Sequence, residues 1–232
     1  MQQRVQLPLG VQLNDDDTLA SFYPGKNAPL LAHLKQLLSF SPIEHYLYLW
    51  GEEGVGRTHL LQAACNQATE QQLSAFYTPL DNAFQSPTIL HGLEQLDLIC
   101  LDNIHAVLGD AAWEEGLFHF FNRVRDAKKR LLISGNAAPR HLSVKLPDLQ
   151  SRLSWGTIFQ VQPLDDDEKL SALQLRAKAR GMVLSDEAGR FLIRRSVRDM
   201  RGLYQTLETL DTASLSAQRR LTIPFLKEVL AL

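Results

Sequence analysis

The stretch LYLWGEEGVGRTHLLQAAC, residues 47–65, decides the fold. An apolar, β-prone run stops at Gly51, a loop with Gly54 and Gly56 follows, and a helix-forming run begins near Thr58. Gly51, four residues, Gly56, then a basic residue and Thr58 is the spacing of a phosphate-binding loop between a strand and a helix. Glycines there let backbone N–H groups turn inward around phosphate oxygens, and the new helix adds the positive end of its dipole. The glycine spacing alone also suits an ordinary tight turn; the strand before it and the helix after it favour the phosphate loop. Arg57 stands where lysine is usual, and its planar guanidinium can reach distal phosphates as a fork. Thr58 offers a hydroxyl to Mg²⁺. The residues expected around a nucleotide's phosphates are Gly54, Val55, Gly56, Arg57, Thr58 and His59.

A second element supports the first. LICLDN, residues 98–103, places Asp102 at the end of a continuous apolar run, the mark of a strand buried on both faces. A phosphate-loop protein needs such a carboxylate to hold Mg²⁺ through water. Many aspartates simply end a strand, and the upstream loop is what favours the metal role here. The next position is Asn103, where hydrolysing enzymes with this element commonly carry a second carboxylate. An amide cannot accept a proton from the attacking water, and loss of a general base lowers a rate by about 10²–10⁴. The expectation is nucleotide binding with little hydrolysis.

Outward from these two elements, helix and strand patterns alternate. LLAHLKQLLS repeats leucines at helical spacing, SAFYTPL reads as a strand, AAWEEGLFHFFNRVRDAKK as a long amphipathic helix, and RLLISGN as another buried strand. Such alternation predicts an α/β fold with a parallel sheet and helices on both faces. The character changes after Pro163. DDDEKLSALQLRAKARG opens with acids suited to a helix N-terminus, Ser185 suits an N-cap, and two more helical runs follow. The expected organisation is a tail over 1–17, an α/β core over 18–164 and a small all-helical domain over 165–232.

Composition sets outer limits. The chain has 232 residues, 45% of them hydrophobic, and a formal net charge of −2. That balance argues against nucleic-acid binding by a general basic surface. Cys65 and Cys100 each lie in an apolar run and are expected to be buried, reduced thiols. No C-x-x-C pair points to zinc. No apolar run of about 18 residues and no signal core predict a cytoplasmic protein without a membrane segment.

At this point the sequence resembles a family, the AAA+ ATPases of the DnaA/DnaC clade. The phosphate loop, LICLDN, the strand end ISGN and the helical second domain carry the likeness over about residues 18–232. The resemblance implies a P-loop AAA+ three-layer core with a helical lid. LPDLQSRLSWG, residues 146–156, resembles the arginine-finger region, which assigns the finger acting in trans to Arg152. VRDMRGL, residues 197–203, resembles the second sensor helix and assigns nucleotide contact to Arg198. Asn136 falls at the first sensor position. LASFYPGKN, residues 19–27, resembles the segment beside the base, with Phe22, Tyr23 and Pro24 as contacts.

Two departures from DnaA narrow the resemblance. DnaA continues into a helix-turn-helix DNA-binding domain, whereas this sequence ends at Leu232 just after the helical segment. DnaA also has lysine in its loop and an acid at the position of Asn103. Both departures are similar to the branch that carries out regulatory inactivation of DnaA. That branch implies bound ADP with Mg²⁺ held by Thr58 and Asp102, and DnaA and the sliding clamp (β subunit of DNA polymerase III) as partners. DNA would be met through the clamp, and a homodimer is a further implied assembly. QLPLGV, residues 6–11, resembles a clamp-binding hexapeptide: Gln6 would bond at a pocket mouth and Leu7, Leu9 and Val11 would fill apolar subsites. A short N-terminal strand is the plain alternative for these residues.

The alternative function is a DnaC-like helicase loader, which would need more chain before the core than 17 residues. The remaining residues have ordinary readings. Arg190, Arg194, Arg195 and Arg201 form a solvated stripe. Arg123 and Arg125 read as surface salt-bridge residues, with a subunit interface as the alternative, and Trp50, Trp113 and Trp155 as packing residues, Trp155 standing apart because it lies beside the finger.

Overall fold

A computed structural model describes residues 17–39, 44–82, 86–195, 199–217 and 219–231. These fall into two compact units. The first comprises 17–19, 29–51 and 57–161; the second comprises 20–28, 52–56 and 162–231.

The first unit is built on a parallel five-stranded sheet. Its strands are β1 (Tyr46–Trp50), β2 (Ala75–Pro79), β3 (Leu98–Asp102), β4 (Arg130–Gly135) and β5 (Thr157–Gln160). The order across the sheet is β2-β3-β4-β1-β5, with every pairing parallel. Its central strands are apolar on both faces because helices cover both. Tyr46, Tyr48, Ile99, Leu101, Leu131 and Ile133 share one core with α3 (Ala111–Asp126) and α4 (Pro147–Leu153). The alternate residues Leu47, Leu49, Leu98, Cys100 and Leu132 are equally buried and point the other way. There α2 (Arg57–Glu70) packs over β2, β3 and β4, with Cys65 beside Cys100. Both thiols are buried and free, as the apolar context predicts. The remaining helix of this unit is α1 (Ala28–Leu37), which buries Leu30, Leu31, Leu34 and Leu37.

Helix starts follow local chemistry. Asp110 caps α3, its carboxylate accepting the Trp113 N–H at 3.0 Å. Such a cap contributes about 1 kcal/mol.

The second unit is helical: α5 (Asp166–Ala179), α6 (Asp186–Arg195), α7 (Met200–Ala217) and α8 (Ile223–Leu230). Leu170, Leu173, Leu192, Leu203, Leu207, Phe225 and Leu226 form its core. Asp165 and Glu168 make a reciprocal capping box at the start of α5, each side chain accepting the other's backbone N–H at 3.0 Å. The segment 20–28 is tied to this unit by Asn27, whose side chain donates to Gln162 O at 3.0 Å and accepts from Gln162 N at 2.7 Å. Tyr23 packs against the helical core.

Two elements of the first unit escape the sequence patterns. The edge strand β5 is four residues with alternating half-exposed positions, and α4 is seven residues opened by Pro147. Neither is long enough to show a period.

Candidate functional site

Parallel strands bring their C-terminal ends to one edge of the sheet, and there the first unit gathers polar side chains. Asp102, the last residue of β3, is 1% exposed. Its Oδ2 accepts from Thr58 Oγ1 at 2.7 Å and from Tyr77 Oη at 3.0 Å. Its Oδ1 accepts from the Ser134 hydroxyl and from Asn103 N at 3.1 Å. Thr58 comes from the first turn of α2, Tyr77 from β2 and Ser134 from β4. Three neighbouring elements thus aim hydroxyls at one carboxylate, and none of these partners is a cation. Burial raises the Tyr77 hydroxyl far above its ordinary value, and the Asp102 charge adds to it, so Tyr77 remains a donor.

Thr58 is exposed beside this buried acid. A buried anion with neutral donors, next to an exposed hydroxyl, suits a hydrated hard cation such as Mg²⁺, which keeps several waters and takes one or two carboxylates. Among the described residues no group of three or more His, Cys, Asp or Glu could enclose a metal by itself. A cation here would therefore take its other ligands from water and from a bound phosphate.

Asn103 has a left-handed backbone (φ 57°) and turns its amide outward, donating from Nδ2 to Asp81 Oδ2 at 2.9 Å. Its backbone N–H is fixed by Asp102 and by Ser134 Oγ at 3.0 Å. The position next to Asp102 is thus an amide engaged with a carboxylate from the turn after β2. Sequence reading missed Tyr77, Ser134 and Asp81. Ser134 carried the one usable signal, a hydroxyl in the apolar strand-end run LLISGN.

Of the other expected phosphate-loop residues in this unit, Arg57 opens α2 and His59 lies two residues into it. His59 Nδ1 is 2.9 Å from Asp17 Oδ1, and its Nε2 meets Thr18 O at 3.0 Å. Arg57 lies close enough to His105 and Tyr48 to influence both. Burial lowers the His105 pKa, and the Arg57 charge lowers it further. Burial raises Tyr48, with Arg57 opposing. Asn136 sits exposed in the bend just past β4.

In the second unit, residues 52–56 of the loop lie with 20–28 and the helices. Gly54 and Gly56 have φ of 79° and 101°, the left-handed region open to glycine. A Cβ on Gly56 would stand 2.9 Å from the Phe22 ring, and one on Gly54 would stand 2.8 Å from the Asp199 side chain. The structure therefore brings the expected Phe22 directly against the loop, buried, with Tyr23 and the exposed Pro24 following. Val55 is half-buried between the two glycines. Asp199 was not foreseen. Its neighbour Arg198 lies outside the described residues, as do Gln6, Leu7, Leu9 and Val11.

Arg152 sits near the end of α4 in the first unit. Its Nε is buried and meets no hydrogen-bond partner among the described residues, and its guanidinium carbon lies 6.0 Å from the Phe118 ring centroid. Trp155, expected to pack, lies on the surface. It is 48% exposed, with Arg125 stacked at 5.8 Å, because it follows the end of α4 on the surface side. Trp113 is buried, and Arg123 and Arg125 pair with Glu94 and Asp126 as the sequence suggests.

Comparison with known proteins places these features in context. A family profile described as the bacterial DnaA ATPase domain matches residues 13–160. A second, described as the Hda lid domain, matches residues 166–230. Domain III of the Thermotoga maritima replication initiation protein DnaA superposes with a TM-score of 0.78 at 21% identity, over 95% of this chain and 98% of that one. AMPPCP-bound DnaA from Aquifex aeolicus gives 0.75 at 21% identity, over 89% and 68%. The Thermotoga maritima RuvB Holliday junction branch migration motor gives 0.67 at 17% identity, over 90% and 69%. These likenesses show an AAA+ fold. No described helix is long and apolar enough to cross a membrane.

Proposed function

The chain belongs to the bacterial DnaA ATPase-domain family and carries a lid of the Hda type, and from that premise we propose that it is a nucleotide-holding regulator of replication initiation. It retains ADP, binds the sliding clamp through residues 6–11, and presents Arg152 to ATP-bound DnaA. DnaA then hydrolyses its ATP and stops initiating.

The observation that carries this reading is the asymmetry at the end of β3. On one side Thr58 donates to a buried Asp102, the pair that would hold a cation. The position that would polarise water is an amide bonded to Asp81. Thr58 and Asp102 would hold Mg²⁺, which would supply charge neutralisation at the phosphates. The chain's own residues do the rest. Thr58 and Asp102 would orient the cation's waters. Gly54, Val55 and Gly56 would offer backbone N–H groups, and Phe22, Tyr23 and Pro24 would lie beside the base. Arg57, Asn136 and Arg198 would hold the phosphates. With Asn103 engaged by Asp81, the residue next to Asp102 offers no proton acceptor, so the diphosphate would serve to hold shape.

Arg152 supplies charge where a partner's γ-phosphate would accumulate it. Such a finger is worth about 10³–10⁵ in rate. In support, Arg152 is partly exposed near the end of α4. The AMPPCP bound to DnaA neighbours supports nucleotide binding here. The helical lid and the DnaA-type core support the regulatory role.

One experiment tests the whole reading: ATP hydrolysis by DnaA in the presence of clamp-loaded DNA, with wild type, Arg152→Ala and Gln6→Ala/Leu7→Ala. Arg152→Ala should keep clamp retention and bound nucleotide yet lose stimulation by about 10³ or more. Gln6→Ala/Leu7→Ala should lose both clamp retention and stimulation. Full stimulation by Arg152→Ala removes the finger, and absence of wild-type clamp binding removes the docking step.

A further inference from the structure

Glu114 is a charged residue in the first turn of α3, 1% exposed, on the face that packs in the main core. A carboxylate in that position is costly unless its lone pairs are filled. They are filled by backbone. Oε1 accepts from Gly109 N at 2.7 Å and from Lys145 N at 3.1 Å. Oε2 accepts from Lys145 N at 3.0 Å and from Leu146 N at 2.7 Å. Leu146 is the N-cap residue of α4 and has no side-chain cap of its own. A residue far away in sequence thus takes the N-cap backbone N–H of α4, as the glutamate of a capping box does from within its own helix. Burial alone would raise the Glu114 pKa, but the Lys145, Gly109 and Leu146 N–H groups, with the Lys145 charge, outweigh it, and the carboxyl is held below its ordinary value.

The rest of α4 offers little other restraint at its start. Leu149 and Leu153 anchor its buried side, and the Gln150 side chain reaches back to Pro139 O. Pro147 brings no N–H, so the last donors before the helix are those of Lys145 and Leu146, and both go to Glu114. The start of α4 is thus held by packing of Leu146 and Leu149 on the core and, among its backbone N–H groups, by one carboxylate.

We infer that Glu114 is the positioning residue of the arginine finger: by accepting the Gly109, Lys145 and Leu146 N–H groups it sets the start of α4 and so the place from which Arg152 is presented. The link to stimulation rests on the finger reading above; the placement of α4 does not.

The test keeps these two parts separate. In Glu114→Gln one carboxylate oxygen becomes an NH₂ that faces backbone N–H groups. Hydrogen exchange on the intact chain should then speed up by about tenfold or more across residues 145–153, the scale of losing one hydrogen bond to a charged acceptor. Amides of β3 and β4 should keep the wild-type rate. Glu114→Asp keeps the charge but retracts it by one methylene; it should loosen the same amides and guards against a variant that fails to fold. Wild-type exchange at 145–153 in both variants overturns the inference. On the same samples, maximal stimulation of DnaA should fall about tenfold in Glu114→Gln, while the amount giving half-maximal stimulation stays the same. Should Arg152→Ala keep full stimulation, the finger reading fails and the exchange rates alone decide the role of Glu114. Should Arg152→Ala lose stimulation while a loosened Glu114→Gln keeps it, the positioning role is overturned.

Discussion

Two aspartates bracket β3, and their surroundings differ in kind. Asp97 precedes the first residue of the strand. It accepts from Ser74 N at 3.0 Å and Ser74 Oγ at 2.7 Å, and from Lys129 Nζ at 3.0 Å, in a solvated place. Asp102 ends the strand, buried, with four donors and no cation among them. Asp97 has its charge neutralised by the chain and works as a staple between the starts of β2 and β4. Asp102 has its geometry fixed by neutral donors alone, and on the function proposed above a hydrated cation would meet it there.

The largest effect should come from changing what stands next to Asp102. Exchanging the amide and acid, Asn103→Asp with Asp81→Asn, keeps the side-chain hydrogen bond and moves a carboxylate beside Asp102. ATP hydrolysis by this chain alone should rise by about 10², the low end for gaining a general base. Asn103→Asp by itself sets two carboxylates against each other and should gain less. A double variant that turns over at the wild-type rate would mean that Asn103 is not what limits hydrolysis.

A smaller and more direct comparison neutralises each aspartate in turn. Asp102→Asn should weaken Mg²⁺-dependent nucleotide binding by about tenfold or more, measured by calorimetry with and without EDTA. It should cost the fold little, because it removes a buried charge that has no counter-ion among its hydrogen-bond partners. Asp97→Asn should do the reverse, leaving nucleotide binding alone and lowering the urea midpoint. Equal behaviour of the two variants in both measurements would break the distinction drawn here.

How far the sequence reveals this contrast depends on range. The loop, Asp102 and Asn103 are legible because strand, turn and helix follow one another within a short window. So are α5–α8, whose leucines repeat at helical spacing and whose first two starts carry acids. The partners of Asp102 are not legible. Tyr77 and Ser134 reach it only because β2 and β4 flank β3 in the sheet, an order that no local pattern encodes. Asp81 sits in a turn with no signature, and its meaning comes only from the left-handed backbone of Asn103. Glu114 is misleading in sequence, since a glutamate on an amphipathic helix reads as a solvent-facing residue. Trp155 misleads in the other direction, as its exposure depends on the end of a helix too short to show a period.

The smallest effect concerns the pH dependence that Asp97 contributes. Ser74, opposed by partial burial and helped by Lys129, holds the Asp97 pKa at about 2, against an ordinary 3.8. A carboxylate whose folded pKa is depressed adds stability above its unfolded pKa and loses it as pH falls through the folded value. The contribution should therefore be complete at neutral pH, begin to fade near pH 4 and be gone near pH 2. Because the pair is partly solvated, its worth is no more than about 1 kcal/mol. The wild type minus Asp97→Asn difference in unfolding free energy, followed in urea from pH 7 downward, should shrink over that window. A difference that is flat across it would mean that Asp97 is no staple, and the contrast with Asp102 would lose one side. Added salt sharpens the same measurement. It should reduce the Lys129 share of the difference and leave the Ser74 share, since screening acts on the ion pair more than on the hydrogen bonds.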